Sequence, residues 1–261
     1  MQNHASTLAA EFKLDAARVA ATVALIDEGN TIPFIARYRK EATGSMDDQT
    51  LRALDERLSY LRKLDDQKET VHNSITEQGA MTPEIAAALE KAKTLAEVED
   101  IYRPYKPKRK TRASIARARG LEPLAARLLE QRPEDEPALL ARQYITEEVP
   151  DTEAALAGAR DILAEGFSDS ANLRATLRSL YNATALVESK AAKKDTDSVY
   201  SGYYDYSEPA AKMAGHRILA VDRGEREGFL KVSVTVDAAR AVRLLTERTV
   251  KNDSPSAEQV R

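Results

Sequence analysis

The residues with the clearest chemistry lie in a basic run from Tyr102 to Arg119, with the sequence YRPYKPKRKTRASIARAR. It holds eight Lys or Arg residues and no acidic residue. The chain has a formal net charge of −3, so the remainder, without the +8 of the run, carries −11. Cations concentrated on an otherwise acidic protein indicate a local anion site, and a nucleic-acid backbone is the large anion that fits it.

The candidate phosphate contacts are the cations of this basic run: Arg103, Lys106, Lys108, Arg109, Lys110, Arg112, Arg117 and Arg119. If about five of them bound a single strand, the salt slope of binding would be about −3.5. Tyr102 and Tyr105 are able to stack on bases, although burial against the preceding helix is the favoured alternative for both. Charge alone also allows the cations to neutralise the chain's own acidic helices, such as LAEVED just before the run.

Further candidate cations lie on a predicted third short helix: Arg37, Arg39 and Lys40. A helix-turn-helix protein places its recognition helix at this position. Phe34, Ile35 and Tyr38 share the segment and are expected to be buried. Most three-helix units do not read DNA, so sequence-specific recognition is the less favoured hypothesis.

No catalytic, metal or cofactor site is predicted, and we do not expect an enzyme. His4, His72 and His216 share no local motif, and the chain has no cysteine to bind metal or form a disulfide. No nucleophile-elbow, Walker or dinucleotide-binding glycine motif occurs. The N-terminus lacks the pattern of a signal peptide, and no apolar run approaches the roughly 18 to 20 residues that span a bilayer. We expect a cytoplasmic protein without a membrane partner.

The sequence predicts that the segments which position these cations are helices. Residues 5–29 predict two helices, with Asp15 as an N-cap and Gly29 as a stop, and Pro33 opens the third, FIARYRK. Ser45 with Asp48 resembles a capping box.

A long amphipathic helix is predicted over about residues 47–78. Its apolar positions recur at spacings of three, four and seven: Leu51, Leu54, Leu58, Leu61, Leu64, Val71 and Ile75. The helix would measure about 48 Å. Its apolar face needs a partner, either another helix of this chain, which is favoured, or another protein.

The last third of the chain changes character. Residues 152–166 and 171–194 predict two long helices broken at Gly166, and a tyrosine cluster follows between Tyr200 and Tyr206. That cluster is able to stack on bases, although a packed seam between domains is the favoured alternative. Residues 228–236 alternate apolar and polar side chains and form the one convincing strand. Because one strand is not stable alone, we expect its partners in a cryptic neighbour or outside the chain.

The predicted fold is mainly α: an elongated multi-helix scaffold with a helix-turn-helix-like start, one long helix and a short β element near residues 228–236. Three parts are expected: a helix-turn-helix-like unit at 1–45, a helical scaffold with the basic loop 102–119 at 46–199, and a tyrosine-rich junction with the start of an incomplete region at 200–261.

Three separated blocks stand in order along the chain: GNTIPFIARYRKEATGSMD, LAEVEDIYRPYKPKRKTRASIARARGLEPLA and YSGYYDYSEPAAKMAGHRILAVDRGEREGFLKV. Together they resemble the N-terminal region of the Tex family, bacterial transcription accessory proteins related to eukaryotic elongation factors of the Spt type. The resemblance implies a protein about three times longer, in which an RNase-H-like domain, helix-hairpin-helix elements and an RNA-binding OB-fold domain follow. It supplies no catalytic residues for this chain.

The sequence therefore predicts the N-terminal helical platform of a nucleic-acid-binding transcription accessory protein. It would make non-specific phosphate contacts with RNA or DNA and would dock the C-terminal domains of its own full-length chain, with the transcription machinery as a further partner. The alternative is a protein–protein interaction scaffold without direct nucleic-acid contact.

Overall fold

Residues 4–107, 110–193 and 198–261 are described by the structure, a computed structural model of the chain. The chain forms two compact units, residues 1–102 and 103–261. The three-part division expected from the sequence stays a prediction. None of the helices in the described ranges is both long and apolar enough to cross a bilayer.

The first unit is entirely helical over its described residues. Its helices are α1 (His4–Phe12), α2 (Ala16–Asp27), α3 (Ile32–Tyr38), α4 (Lys40–Thr43), α5 (Asp48–Glu77), α6 (Pro83–Lys91) and α7 (Leu95–Tyr102).

Local capping explains most of the boundaries of these helices. Asp15 caps α2 as predicted, since its Oδ1 accepts a hydrogen bond from the backbone N–H of Arg18 at 3.0 Å. The predicted capping box of Ser45 and Asp48 is wrong: Asp47 caps α5, accepting from the N–H of Thr50 at 2.8 Å. Ser45 instead continues the turn after Gly44, and both residues have positive φ.

The segment FIARYRK is not one helix, as the sequence predicted, but the end of α3 and the start of α4. Arg39 separates them with a φ of −126°, which is outside helical geometry. Gly44 then ends α4 in the left-handed region, at a φ of 67°, where glycine is favoured.

The predicted long helix is confirmed as α5, which has 30 residues and a length of about 45 Å. All seven apolar positions of its predicted stripe are buried. The stripe packs against other helices of the first unit, among them α1, α3 and α7. Ala5, Leu8, Ala9 and Val19 close the core around it. The favoured interpretation, a partner within the same chain, is therefore correct.

A two-point salt bridge joins α1 to α5. Arg57 donates from Nε and from Nη2 to the carboxylate of Glu11, each at 2.7 Å. The hydrogen bond with Arg57 lowers the pKa of Glu11 from its usual value. A carboxyl group with a lowered folded-state pKa stabilises the fold above its unfolded pKa, and that contribution is lost as pH falls through the folded pKa.

We predict that Glu11→Gln lowers the free energy of unfolding by up to about 1 kcal/mol at neutral pH, because the bridge is partly exposed. The difference from the wild type should disappear in acid, where Glu11 is protonated in both states. Urea unfolding followed by circular dichroism at several pH values measures it. Glu56→Gln, at an exposed position on α5, is the control. A difference that persists in strong acid would contradict the assignment.

The second unit combines helices with a small sheet. Its described elements are a 3₁₀ turn (Arg103–Tyr105), α8 (Arg112–Ala118), α9 (Glu122–Glu130), α10 (Pro137–Arg142), α11 (Thr152–Asp169), α12 (Ala171–Thr184), β1 (Leu186–Ala191), a 3₁₀ turn (Ser201–Tyr203), β2 (Asp205–Pro209), a 3₁₀ turn (Ala210–Lys212), α13 (Gly215–Arg226), β3 (Leu230–Thr235), α14 (Ala238–Thr249) and α15 (Pro255–Val260).

The helical core of this unit is built around α11, which packs against α8, α9 and α10. Leu124, Leu128 and Ala155 are fully buried there. The break predicted at Gly166 is wrong, since α11 runs through it to Asp169. A glycine inside a helix weakens it by about 1 kcal/mol but does not end it when the flanking turns are packed.

The predicted strand is confirmed as β3, and of the two expected sources for its partner the cryptic neighbour within the chain is correct. The sheet has the order β2-β1-β3 and is antiparallel throughout, with Leu186 opposite both Pro209 and Thr235. Its central strand, β1, occupies sequence that was predicted to be the end of a helix at 171–194. That helix, α12, ends at Thr184. All three strands of the sheet therefore come from this chain, and β3 pairs with β1.

The tyrosine cluster packs inside the second unit. Tyr200 is buried, its ring centroid lies 5.7 Å from that of Phe229, and its hydroxyl donates to Glu227 at 2.9 Å. Burial and this hydrogen bond raise the pKa of Tyr200. The rings of Tyr203 and Tyr206 meet edge to face at 5.1 Å. These rings support the sheet, which explains their concentration in the sequence.

Candidate nucleic-acid interface

The described part of the basic run begins at Tyr102, the last residue of α7, includes the 3₁₀ turn and α8, and ends at Arg119, directly after α8. Thr111 and Ser114 form a reciprocal capping box at the start of α8: Thr111 Oγ1 accepts from the N–H of Ser114 at 3.0 Å, and Ser114 Oγ accepts from the N–H of Thr111 at 2.8 Å. Ala113 and Ala116 face the core. Packing and capping together fix the direction in which the arginines of α8 point.

An acidic row on α11 faces these arginines. We define it as Asp161, Glu165 and Asp169, whose spacing of four places them on one side of the helix. Its ion pairs with the run are Arg112 Nη2 to Asp161 Oδ1 at 3.3 Å, Arg117 Nη1 to Glu165 Oε2 at 2.5 Å, and Arg103 Nε to Asp169 Oδ1 at 3.1 Å. The row therefore neutralises charge of the basic run inside the folded unit.

Glu165 is the centre of this arrangement. Its side chain is only 13% exposed, and it also accepts a hydrogen bond from Thr111 Oγ1 at 2.9 Å. The hydrogen bond with Glu165 raises the pKa of Arg117, which stays cationic at any ordinary pH. An anion that approached Arg117 would therefore compete with the carboxylate of Glu165, which Arg117 and Thr111 already bind.

The other cations of the run differ in how accessible they are. Arg112 is 86% exposed in spite of its ion pair, and Arg119 reaches Glu148 at 3.6 Å across open surface. Lys110 is exposed, whereas Lys106 is half-buried and already engaged within the chain. The predicted contacts Lys108 and Arg109 lie outside the described residues.

The predicted cations of the first unit lie on the surface around α3 and α4. Arg37, Arg39 and Lys40 are all exposed, and none forms an ion pair with an acid among residues 4–107. The expectation that Phe34 and Tyr38 are buried is wrong: they are 36% and 60% exposed. Only Ile35 of this group enters the core, because a seven-residue helix presents a single narrow face to it.

The three histidines lie on three different helices, α1, α5 and α13. His4 lies 3.2 Å from Asp65, and His72 and His216 are exposed on separate helices. Within the described ranges, no group of three or more His, Asp or Glu side chains is arranged to hold a metal ion.

Two family models match the chain. One, described as Tex-like protein N-terminal domain, covers residues 2–76. The other, described as Tex central region-like, covers residues 132–259. The chain belongs to the Tex family. The cations of α3 and α4 lie within the first match, whereas the basic run lies between the two.

Relatives of the chain are found in bacteria and in vertebrates. "Protein tex" of Bordetella pertussis is 47% identical over 235 residues, which are 88% of this chain and 30% of that protein. "Transcriptional accessory protein Tex" of Neisseria gonorrhoeae is 45% identical over 229 residues, or 87% and 30%. "S1 RNA-binding domain-containing protein 1" of Homo sapiens is 32% identical over 230 residues, or 82% and 22%. The chain spans about a third of the length of the first bacterial relatives.

Sequence reasoning missed two features, one in each unit. The acidic row was visible as a spacing of four in the segment RDILAEGFSD, but its partners are distant in sequence. The exposure of Phe34 and Tyr38 was less evident in the sequence. The two rings are four residues apart on one helix, and Arg37 and Arg39 flank Tyr38. The acidic row reduces the charge that the basic run offers to a ligand. The exposed rings add apolar surface next to the cations of α3 and α4.

Proposed function

We propose that this chain is the N-terminal helical platform of a nucleic-acid-binding transcription accessory protein, and that it acts in the cytoplasm. It makes non-specific contacts with the phosphate backbone of RNA or DNA and docks other domains of its full-length chain. The observation that carries the proposal is the acid-free run of eight cations on an acidic chain. The printed names of the relatives, which refer to transcription and to RNA binding, support it.

The phosphate contacts fall into two groups under this proposal. Exposed cations that pair with no acid in the described part of the chain bind most readily, and these are Lys110 in the basic run and Arg37, Arg39 and Lys40 in the first unit. Paired cations must first give up a carboxylate: Arg103, Arg112, Arg117 and Arg119. Lys108 and Arg109 remain contacts proposed from the sequence, and Lys106 contributes less because it is engaged.

The experiment is a titration of the chain with a fluorescein-labelled single-stranded RNA of about 16 nucleotides and with a DNA duplex of similar length, at several salt concentrations. The variant Lys108→Glu, Lys110→Glu and Arg109→Glu should weaken binding. It should also flatten the logarithmic salt slope by about 2 for single strands, because three phosphate contacts are lost. Fluorescence anisotropy measures both quantities.

The matched control reverses three exposed lysines of the first unit, Lys63, Lys91 and Lys93, which changes the net charge by the same amount. Equal weakening in the control would mean that only total charge matters, and would contradict a role for the run. Hydrolysis of the RNA that is lost on chelation would contradict the absence of a catalytic function.

The interaction scaffold is a second candidate function, and exposed apolar side chains of the second unit favour it. Leu219 on α13 is 70% exposed, Val242 on α14 is 58% exposed, and Val234 on β3 is 54% exposed. Such side chains suit docking of downstream domains or of the transcription machinery. A chain without salt-dependent binding to either nucleic acid at low salt would leave the scaffold as the function.

A further inference from the structure

A compact surface of rings and guanidinium groups lies on α3 and on the residue that follows it, and we name it the α3 platform: Phe34, Arg37, Tyr38 and Arg39. The ring centroids of Phe34 and Tyr38 are 5.2 Å apart and tilted by 46°. Arg39 Cζ lies 5.3 Å from the Phe34 centroid, and Arg37 Cζ lies 6.0 Å from the Tyr38 centroid. Four flat groups therefore share one exposed surface of the first unit.

Residues of α3 itself fix the position of the platform. Ile35, on the opposite side of the same turn, is completely buried, and Pro33 stiffens the start of α3. Gly44, which ends α4, has a φ of 67°, a left-handed conformation that glycine adopts without strain. Because Ile35 turns one side of α3 into the core, Phe34 and Tyr38 lie on the part of the helix that faces solvent.

Charge decides which kind of ligand fits the α3 platform. Arg37, Arg39 and the adjacent Lys40 have no acid partner among residues 4–107, unlike the arginines that the acidic row neutralises. A symmetric contact with the same face of a second copy would bring like charges together. An uncharged apolar segment would cover the rings but leave the cations without counter-charge. A ligand with flat unpaired rings and repeated negative charges satisfies both parts.

We infer that the α3 platform stacks the unpaired bases of a single-stranded nucleic acid, while Arg37, Arg39 and Lys40 bind its phosphates. The inference rests on the proposed function. It specifies that the ligand is single-stranded and that the rings of Phe34 and Tyr38 select it. Duplex DNA keeps its base faces inside the helical stack and offers the platform only phosphates. The preference for single strands comes from the rings, and the salt dependence comes from the cations.

The test uses anisotropy titrations of the whole chain with a labelled oligouridylate of about 12 nucleotides and with a DNA duplex. The double variant Phe34→Ala, Tyr38→Ala should lose about 10- to 100-fold in affinity for the single strand, from one or two stacks at about tenfold each. Its duplex affinity should change little. Phe34→Leu with Tyr38→Leu keeps apolar surface without a ring and should lose a similar factor, whereas Tyr38→Phe should bind as the wild type does.

Direct evidence of stacking comes from Phe34→Trp. The chain has no tryptophan, so this residue is a unique fluorophore, and its emission should be quenched when oligouridylate binds. Tyr181→Ala, at a 40% exposed tyrosine of the second unit, is the matched control and should bind normally. Circular dichroism melting confirms that each variant is folded.

The outcomes separate the two hypotheses. Binding of the wild type to neither nucleic acid overturns the proposed function. Binding that is unchanged in the alanine variant, or retained in the leucine variant, overturns the stacking inference alone. Retention in the leucine variant together with loss in the alanine variant would mean that apolar contact, and not ring stacking, holds the single strand.

Discussion

Replacing Gln131 with leucine should lower the free energy of unfolding of the unit formed by residues 103–261 by about 2–4 kcal/mol. The side chain is only 1% exposed, and both ends of its amide are used. Nε2 donates to the carbonyl of Thr249 at 2.7 Å, and Oε1 accepts from the N–H of Lys251 at 2.7 Å. Leucine has a similar size but leaves a backbone donor and a backbone acceptor without partners.

The loss should spread along the chain because Gln131 holds the segment that leads into α15. Its own carbonyl accepts from Asn252 Nδ2 at 2.8 Å and from Ser254 Oγ at 3.3 Å. Ser254 in turn caps α15, which places Val260 in the core. Hydrogen exchange should therefore accelerate across residues 249–260, and urea unfolding should give the total cost.

Two further variants test whether the buried amide of Gln131 is the cause of the loss. Gln143→Leu, at an exposed position after α10, should change stability by less than about 0.5 kcal/mol. Gln131→Glu retains an acceptor for Lys251 but, when ionised, has no donor for Thr249. Burial raises the pKa of such a carboxyl, so this variant should become more stable relative to the wild type as pH falls. Normal stability of Gln131→Leu would show that the amide does not fix the segment.

The parts of the fold that were predictable from the sequence depend on neighbours a few residues apart. The stripe on α5 is a local period, and every one of its positions is buried. The cap at Asp15 needs only the N–H three residues later. In contrast, the segment Leu186–Ala191 contains Leu, Glu, Lys and Ala, which suit a helix by propensity. It becomes the central strand because two distant strands pair with it on both sides.

The candidate site shows the same division between local and distant information. Composition located the basic run, but the availability of its charges depends on carboxylates about 50 residues away along the chain. Likewise, aromatic content gave no means to distinguish a buried ring from an exposed one on α3. Tyr200 is buried and Tyr38 is not, because one faces a sheet and the other the solvent side of a short helix.

Neutralising the acidic row should strengthen nucleic-acid binding. In the triple variant Asp161→Asn, Glu165→Gln and Asp169→Asn, the arginines that the row now pairs lose their counter-charges while the shapes of the side chains are kept. Under the proposed function, up to three additional phosphate contacts form. The logarithmic salt slope for single-stranded RNA should then steepen by up to about 2, and affinity at low salt should rise.

The same variant should cost some stability, because Glu165 is nearly buried and joins Arg117 to Thr111. We expect a loss of about 1–2 kcal/mol, since a neutral amide oxygen still accepts a hydrogen bond but binds arginine less strongly. Thermal melting measures this loss. Tighter binding with lower stability is the result expected of a carboxylate that competes with phosphate for the same arginine.

The control must separate this competition from the change in net charge, which the triple variant raises from −3 to zero. Glu134→Gln, Glu136→Gln and Glu147→Gln make the same change at exposed positions of the same unit. Long-range attraction alone would strengthen binding equally in both triple variants. A larger gain on removal of the acidic row means that the basic run binds phosphate only after its own carboxylates are displaced, and equal gains would contradict that competition.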